Sequence, residues 1–526
     1  MVQNGSNRKK CLEPIRRYGM LPDRTLSKLI STCIMLSEYL LTEIASLQRH
    51  DKLPLYRQLY EALRHAILEG KLSVGRRLPS SRALGQQLRL SRNTVTAALN
   101  QLSVEGYLAS HVGRGTFVTE RALKEIRRPI SAQASQSTAL SQRGHRLLTR
   151  FSATELEIYP FTPGIVDFSA FPLALWQRLQ TKHWRTAYAD MLDYSYSGGY
   201  APLCKAVAEY LRVFRGIALE VDQVLITSGT QQSLELCAQL LADLNETVWL
   251  EDPAYWGAVK AFMATGLNLH PVAVDDQGLA PKASDEASAP RLIYVTPSHQ
   301  YPTGVVMSLE RRKYLLSIAR QHQAWILEDD YDSEFRFSGN PIPSLAELDT
   351  DERVLYMGSF SKVLYPGLKL GYLVVPKGLA ATFKQAHYDL NRPGQIPQQA
   401  ALAEFIEMGH FANAMRSARN IYAQRRRCLL EALKPCLGSL AHISGAEQGL
   451  HLCVNLPHMF DDKALAQRIG ALGLTVRPLS GYCLQRKNIR GIVIGYGYAP
   501  VAEIERHGAL LAKAIADGLT RYSRRE

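Results

Sequence analysis

Long apolar runs are missing from this sequence: no stretch offers the roughly eighteen uninterrupted apolar residues that a membrane span requires. The N-terminus, MVQNGSNRKKCLEPIRRYG, is basic, yet no clean apolar segment and small-residue cleavage site follow it, so no signal peptide is expected. The eight cysteines are scattered singly, with no Cys-x-x-Cys and no metal-like pairing with histidine. That argues against a disulfide scaffold and a zinc site; reduced thiols in a cytoplasm, and no metal ligands, are the expectation. Acid is scarce at one end. Residues 1–128 carry 22 Lys/Arg against 10 Asp/Glu, whereas the remainder carries 40 against 38. The formal charge of +14 is therefore a basic head on a nearly neutral body, as in a polyanion-binding module fused to something else. With 526 residues, 46% of them apolar and 21% charged, the chain is a globular protein of two or three domains.

Residues 1–50 carry no motif and are read as an extension of unknown role. From Pro54 the pattern sharpens: Tyr56, Leu59, Leu63 and Ile67 recur at helical spacing before Gly70. Ser80 and Ser91 are placed to cap two further short helices, the second with Val95, Ala98, Leu99 and Leu102 inward. Its other face offers Arg92, Asn93, Thr94, Thr96 and Asn100, polar groups suited to a major groove. The stretch 107–118 then reads as a β-hairpin whose Gly113-Arg114-Gly115 turn presents one cation at its tip. A small protein-interaction domain with solvated arginines is the competing reading of this region. Residues 121–160, rich in Ser, Gln, Ala and Arg, read as a flexible linker.

Beyond Phe161 short apolar strands alternate with helical stretches, the pattern of an α/β sheet. Strands are expected at 224–227, 247–250, 271–274, 292–295, 325–328, 354–357 and 371–375. Several end in polar and glycine residues, where ligands collect in open α/β sheets. Thr227-Ser228-Gly229-Thr230 precedes a helix expected over 233–244, and its N–H groups and hydroxyls could cradle a phosphate. Tyr255, after another strand, could stack on a flat heteroaromatic ring. The acids Glu328, Asp329, Asp330 and Asp332 close an apolar strand and need a cation opposite them, such as a protonated pyridine nitrogen. A solvated or metal-binding acidic turn would look the same. Finally Ser359-Phe360-Ser361-Lys362 follows the strand 354–357. Its lysine, in an apolar setting, should lose hydration, fall in pKa and become able to condense with an aldehyde; an ordinary lysine at a strand end is the competing reading.

The stretch Leu78-Pro-Ser-Ser-Arg-Ala-Leu-Gly-Gln-Gln-Leu-Arg-Leu-Ser-Arg-Asn-Thr-Val resembles the winged-helix signature of GntR-type bacterial repressors, with Leu90 where valine is usual. The stretch 161–520 resembles a fold-type I, aspartate-aminotransferase-like domain that binds pyridoxal 5′-phosphate. Together the chain resembles the MocR/GabR subfamily of GntR regulators. The resemblance implies an α/β protein: a winged helix over 51–120, then a mixed, mostly parallel sheet with a smaller C-terminal α+β subdomain. It implies DNA contacts from Arg82, Arg92, Thr94 and Arg114, on an operator of direct or inverted repeats. It implies that Lys362 forms the Schiff base, Asp329 pairs with the pyridine nitrogen, Tyr331 meets the ring hydroxyl and Tyr255 stacks on the ring. Ser228, Gly229, Thr230, Ser359 and Ser361 would surround the phosphate, with Tyr194 reaching the neighbouring subunit's phosphate in a homodimer.

Three departures stand out. Gln300-Tyr301-Pro302-Thr303-Gly304 replaces the usual Asn-Pro-Thr-Gly, so the ring-hydroxyl amide is absent or comes from Gln300. Lys369 replaces an arginine beside the phosphate, which a lysine neutralises without a bidentate grip. Val493 stands where an arginine should hold the substrate carboxylate, leaving Arg477 as the candidate anchor for an effector carboxylate. These departures favour a regulator sensing the cofactor, or an amino compound joined to it, over an active aminotransferase with a DNA-binding head.

Overall fold

The structure, a computed structural model, describes residues 53–111, 113–120, 140–149, 159–167, 169, 171–187, 189–194, 198–339 and 342–524. The N-terminal extension 1–50 lies outside the described residues. The chain forms two compact units that meet in sequence at Ala139 and Leu140.

In the first unit, helix α1 (Leu55–Leu68) buries Leu59, Leu63 and Ile67, the apolar positions of its helical repeat. Helix α2 (Ser81–Leu88) begins at Ser80, whose hydroxyl accepts the Ala83 N–H, and ends where Arg89 turns left-handed at φ 54°. Helix α3 (Arg92–Val104) repeats the device, Ser91 Oγ accepting the Thr94 N–H at 3.1 Å. Such caps are worth about 1 kcal/mol each. The α2–α3 turn is tight: a side chain at Gly85 would approach the Leu90 carbonyl at 3.0 Å. Val95, Ala98, Leu99 and Leu102 pack inward with Leu84 and Leu88. The hairpin pairs β2 (Leu108–His111) with β3 (Gly115–Val118), and β1 (Arg77–Leu78) adds a third strand on the other edge of β3. That strand, two residues long, carries no alternation from which it could be expected.

The second unit is built on an eight-stranded sheet. Its strands are β4 (Val224–Thr227), β5 (Thr247–Asp252), β6 (Asn268–Asp275), β7 (Gly278–Leu279), β8 (Leu292–Val295), β9 (Trp325–Asp330), β10 (Val354–Ser359) and β11 (Gly371–Val374). The order is β4-β11-β10-β9-β8-β5-β6-β7. Neighbours from β10 to β6 run parallel, while β11 is antiparallel to β10 and β4. The expected strands all form, some longer than expected. They are apolar on both faces because helices cover both, and core clusters lie on either side. The helix expected at 233–244 instead spans Thr230–Leu241, because Gly229 with φ 110° starts it directly at the strand end. The smaller four-stranded antiparallel sheet has the order β12-β13-β15-β14, with β12 (His442–Ser444), β13 (His451–Leu456), β14 (Arg477–Pro478) and β15 (Arg490–Gly495). The helices His410–Leu437 and Val501–Ser523 pack together on it, with Leu452, Val454, Ile492 and Ile494 facing them. The segment expected as a flexible linker includes the helix Gln142–Thr149, and 121–139 and 150–158 lie outside the described residues.

Candidate functional site

The loops after β4, β5, β8, β9 and β10 converge at one end of the large sheet on a cavity of about 350 Å³. It is lined by Ser228, Gly229, Thr230, Tyr255, Asp329, Tyr331, Ser359, Ser361, Lys362, Lys369 and Arg477. Every residue expected at the cofactor is therefore in one place, except Tyr194. Tyr194 is 58% exposed and is not among the residues lining this cavity.

Parallel pairing sets the centre. Met357 of β10 stands opposite Asp329 of β9, so the lysine turn leaves the sheet beside the acidic strand end. Lys362 Nζ donates to the Gly164 carbonyl at 2.6 Å. Burial holds its pKa below the ordinary lysine value, against the opposing pull of Asp332 and Asp329. Asp329 is 4% exposed; its Oδ2 accepts from the Tyr294 hydroxyl at 2.8 Å, and its Oδ1 has no partner. Burial pushes this carboxyl up to about 7, and neighbouring Asp330, Asp332 and Glu251 add to the effect while Tyr294 opposes it. An orphaned carboxylate oxygen in such a wall calls for a cationic N–H donor.

The phosphate-cradle expectation has matching backbone. Gly229 opens the helix Thr230–Leu241 at φ 110°, a conformation that favours glycine, and a Cβ there would meet nothing within 4 Å. The space before this helix N-terminus is thus open to an anion, in a cavity that Ser359, Ser361 and Lys369, itself at φ 50°, also line.

The departures resolve individually. Gln300 does not supply the missing amide: it is 1% exposed, and its Nε2 is spent on Glu251 and on the Pro253 and Tyr301 carbonyls. Tyr301, directly before Pro302, lines the cavity in its place and meets Tyr255 edge-on at 5.7 Å between ring centroids. Tyr331 donates to the His299 carbonyl at 2.9 Å. Val493 is fully buried in β15, and its register partner on β14 is Arg477. The Arg477 guanidinium lies 5.2 Å over the Trp256 ring and borders the cavity.

Some participants were given no role at the site from the sequence. Tyr294, Trp256, Tyr301 and His451 all line the cavity. His299, Asp332 and His451 form a buried cluster whose ligand-type atoms lie within 4.8 Å of one another. Within it His299 Nδ1 and Asp332 Oδ2 are 2.9 Å apart, while burial keeps the His451 pKa well below the ordinary histidine range. Tyr294, a hydroxyl inside an apolar strand, Tyr301, in the altered turn before Pro302, and Asp332, in the acidic strand end, had local signals; Trp256, His299 and His451 are joined to them by tertiary folding alone.

On the first unit, Arg82, Arg92 and Arg114 are exposed, and Arg92 sits in the first turn of α3. Thr94 is half-buried and its hydroxyl lies 2.8 Å from Ser91 Oγ, so it contributes to the cap as well as to the exposed face.

Comparison with known proteins agrees with both units. Residues 55–118 match the family "Bacterial regulatory proteins, gntR family", and residues 171–490 match "Aminotransferase class I and II". The chain is 37% identical to the probable rhizopine catabolism regulatory protein MocR of Rhizobium meliloti, across 86% of this chain and 91% of that one. It is 32% identical to the HTH-type transcriptional regulator YdeL of Bacillus subtilis, across 89% and 98%. Among solved structures it resembles the kynurenine aminotransferase of Pyrococcus horikoshii. That likeness has a TM-score of 0.63 at 26% identity, covering 76% of this chain and 99% of the other.

Proposed function

We propose a function from one premise: the chain belongs to the MocR/GabR subfamily of GntR regulators, a GntR winged helix joined to a class I and II aminotransferase domain. It is a DNA-binding transcriptional regulator that depends on pyridoxal 5′-phosphate. When bound, this cofactor supplies an aldehyde that condenses with amines and a pyridine ring that acts as an electron sink. The residues fit it. Lys362 offers the amine for attachment, and its lowered pKa makes the reactive neutral form accessible. Asp329 offers an unsatisfied carboxylate oxygen to the ring N–H, Tyr255 a face for the ring, and Gly229 with its flanking hydroxyls a nest for the phosphate. Lys369 neutralises phosphate charge. Tyr194, exposed on its own chain, serves the partner subunit's cofactor in a homodimer. The signal would be the cofactor itself or an amino compound joined to it, Lys362 providing the attachment amine and Arg477 a hold for the compound's carboxylate.

The observation that carries the regulator reading over the enzyme reading is Val493. Where an aminotransferase fixes its substrate carboxylate for turnover, this chain has a buried aliphatic residue, and its register partner on the adjacent strand is Arg477, resting on Trp256. Arg477 can bind a carboxylate without setting the angle that repeated proton transfer needs. Steady-state assays over amino donors with 2-oxoglutarate or pyruvate are expected to show no multiple turnover. Rapid repeated turnover would replace this reading with that of an active aminotransferase.

The Asp329 shift gives a pH signature. Its carboxyl is raised from the ordinary value to about 7 without a cation opposite it. Its contribution to stability is therefore present in full below about 4 and is lost as pH rises through about 7. A pyridinium facing Oδ1 removes that loss. The rise in melting temperature on saturation with pyridoxal 5′-phosphate should therefore be larger at pH 8 than at pH 5.5, by on the order of a few degrees. In Asp329→Asn the increment should be smaller and flat across this range, and an unchanged slope in that variant would detach Asp329 from the ring nitrogen.

A further inference from the structure

Three segments divide the Lys362 cavity from a second one in the same unit. Tyr301, Asp332 and His451 face the first cavity, and Ser298, Glu334 and Gln448, from the same three segments, face the second. The second encloses about 340 Å³, at the lower end of the range for small-molecule sites. Nothing in the cofactor reading uses it.

Its floor is electrically satisfied. Arg215 Nη2 meets Asp330 Oδ2 at 2.7 Å, and Arg312 Nη1 lies 3.7 Å from Glu328 Oε1. Its upper wall is not. Arg336 Nη1 donates to Gln448 Oε1 at 2.8 Å, and Arg419 donates through Nε to the Glu334 carbonyl at 2.9 Å; among the described residues neither guanidinium forms an ion pair, Glu447 acting on Arg336 only through its charge. The one carboxyl among these groups is Glu334, whose Oε1 accepts from Tyr210 at 2.9 Å. Burial, reinforced by Asp330, pushes that carboxyl up to about 7, so it is often protonated and able to donate. Three buried polar atoms on residues lining the cavity lack a hydrogen-bond partner: Gln448 Nε2, on a residue 2% exposed, Glu334 Oε2, and Arg312 Nη1 on the floor. Beside them stand Phe214, Phe337 and Met415.

Donors therefore outnumber acceptors at the polar end, and apolar surface lies next to them. We propose that this cavity is a second ligand site, separate from the cofactor's, for a small organic monocarboxylate with an aromatic or aliphatic body. The carboxylate sits among Arg336, Arg419 and the Gln448 amide, and the body lies against Phe214, Phe337 and Met415. A guanidinium fork matches a carboxylate in two hydrogen bonds, which an uncharged alcohol of the same shape cannot reproduce.

The test is a fluorine NMR titration of 4-fluorophenylacetate into the full chain saturated with pyridoxal 5′-phosphate, with Arg477→Ala reporting any binding in the Lys362 cavity. Saturable binding is expected with Kd near about 1 mM. It should weaken roughly tenfold in Arg419→Ala and roughly tenfold for 4-fluorobenzyl alcohol, and stay unchanged in Arg477→Ala. Arg419 is exposed, so its truncation leaves the core intact. Three outcomes would each overturn the site: no saturation, equal affinity in Arg419→Ala, or a loss in Arg477→Ala instead. Cofactor loading is followed separately by absorbance, so a failure of the cofactor reading would show before the titration begins.

Discussion

Lys362→Ala is expected to abolish the visible absorption band that the full chain gains with pyridoxal 5′-phosphate, and to weaken cofactor retention by roughly a hundredfold, about 2.7 kcal/mol. The expectation rests on position and on charge. Nζ sits in the cavity beside Asp329 and Asp332, donating to the Gly164 carbonyl, and burial biases it toward the neutral amine. Among the described residues no other lysine combines desolvation with the charge of a carboxylate that has an unpartnered oxygen. What remains in the variant is substantial: the Gly229 nest, Tyr255 and Asp329 are untouched, so cofactor should still bind non-covalently. The described lysine that could substitute is Lys369, which lines the same cavity but is exposed. A visible band that persists in Lys362→Ala and disappears only when Lys369 is also removed would move the attachment point.

Arg92→Ala should weaken operator binding by roughly tenfold or more, within the 1–3 kcal/mol range of a base-edge contact, without altering the absorption spectrum of the cofactor-loaded chain. Arg92 is exposed in the first turn of α3, the helix whose inner stripe Val95, Ala98, Leu99 and Leu102 locks its rotation. Arg114, exposed on the wing turn, is proposed to contact a phosphate or the minor groove; for a phosphate contact, Arg114→Ala should weaken all sequences alike and reduce the salt slope by about 1. Ser91→Ala is the structural control. It removes the α3 cap and about 1 kcal/mol of folding stability, lowering the melting temperature, which Arg92→Ala should not do. Unchanged operator affinity in Arg92→Ala would take α3 out of the groove.

Much of this architecture is visible before folding because its signals are local. Strands such as Leu292–Val295 and Val354–Met357 are continuous apolar runs, and the residues after them are the ones that reach the cavity. Capping serines mark α2 and α3 within a residue. The features that escaped depend on distance in sequence. His299, Asp332 and His451 come from three separate loops and strands, and no spacing announces them. Gln300 looked able to replace a missing amide, but Glu251 and two carbonyls claim its side chain, a competition visible only in three dimensions. Arg477 could be noticed only as a substitute cation. That it faces Val493 across the β14–β15 pair is a matter of register, which two residues of strand cannot encode.

The two units serve one purpose only if the state of the Lys362 cavity changes what α3 does to DNA. Reciprocity makes this testable from either side: if cofactor shifts operator affinity by a given factor, operator shifts cofactor affinity by the same factor. The direct measurement is fluorescence anisotropy of a DNA fragment selected from a random pool by the full chain, titrated with and without pyridoxal 5′-phosphate. In the wild type the affinity should differ between the two conditions by about 5-fold or more, and in Lys362→Ala the difference should collapse. Identical operator affinity in both conditions, while the visible band shows the wild type fully loaded, would contradict the account.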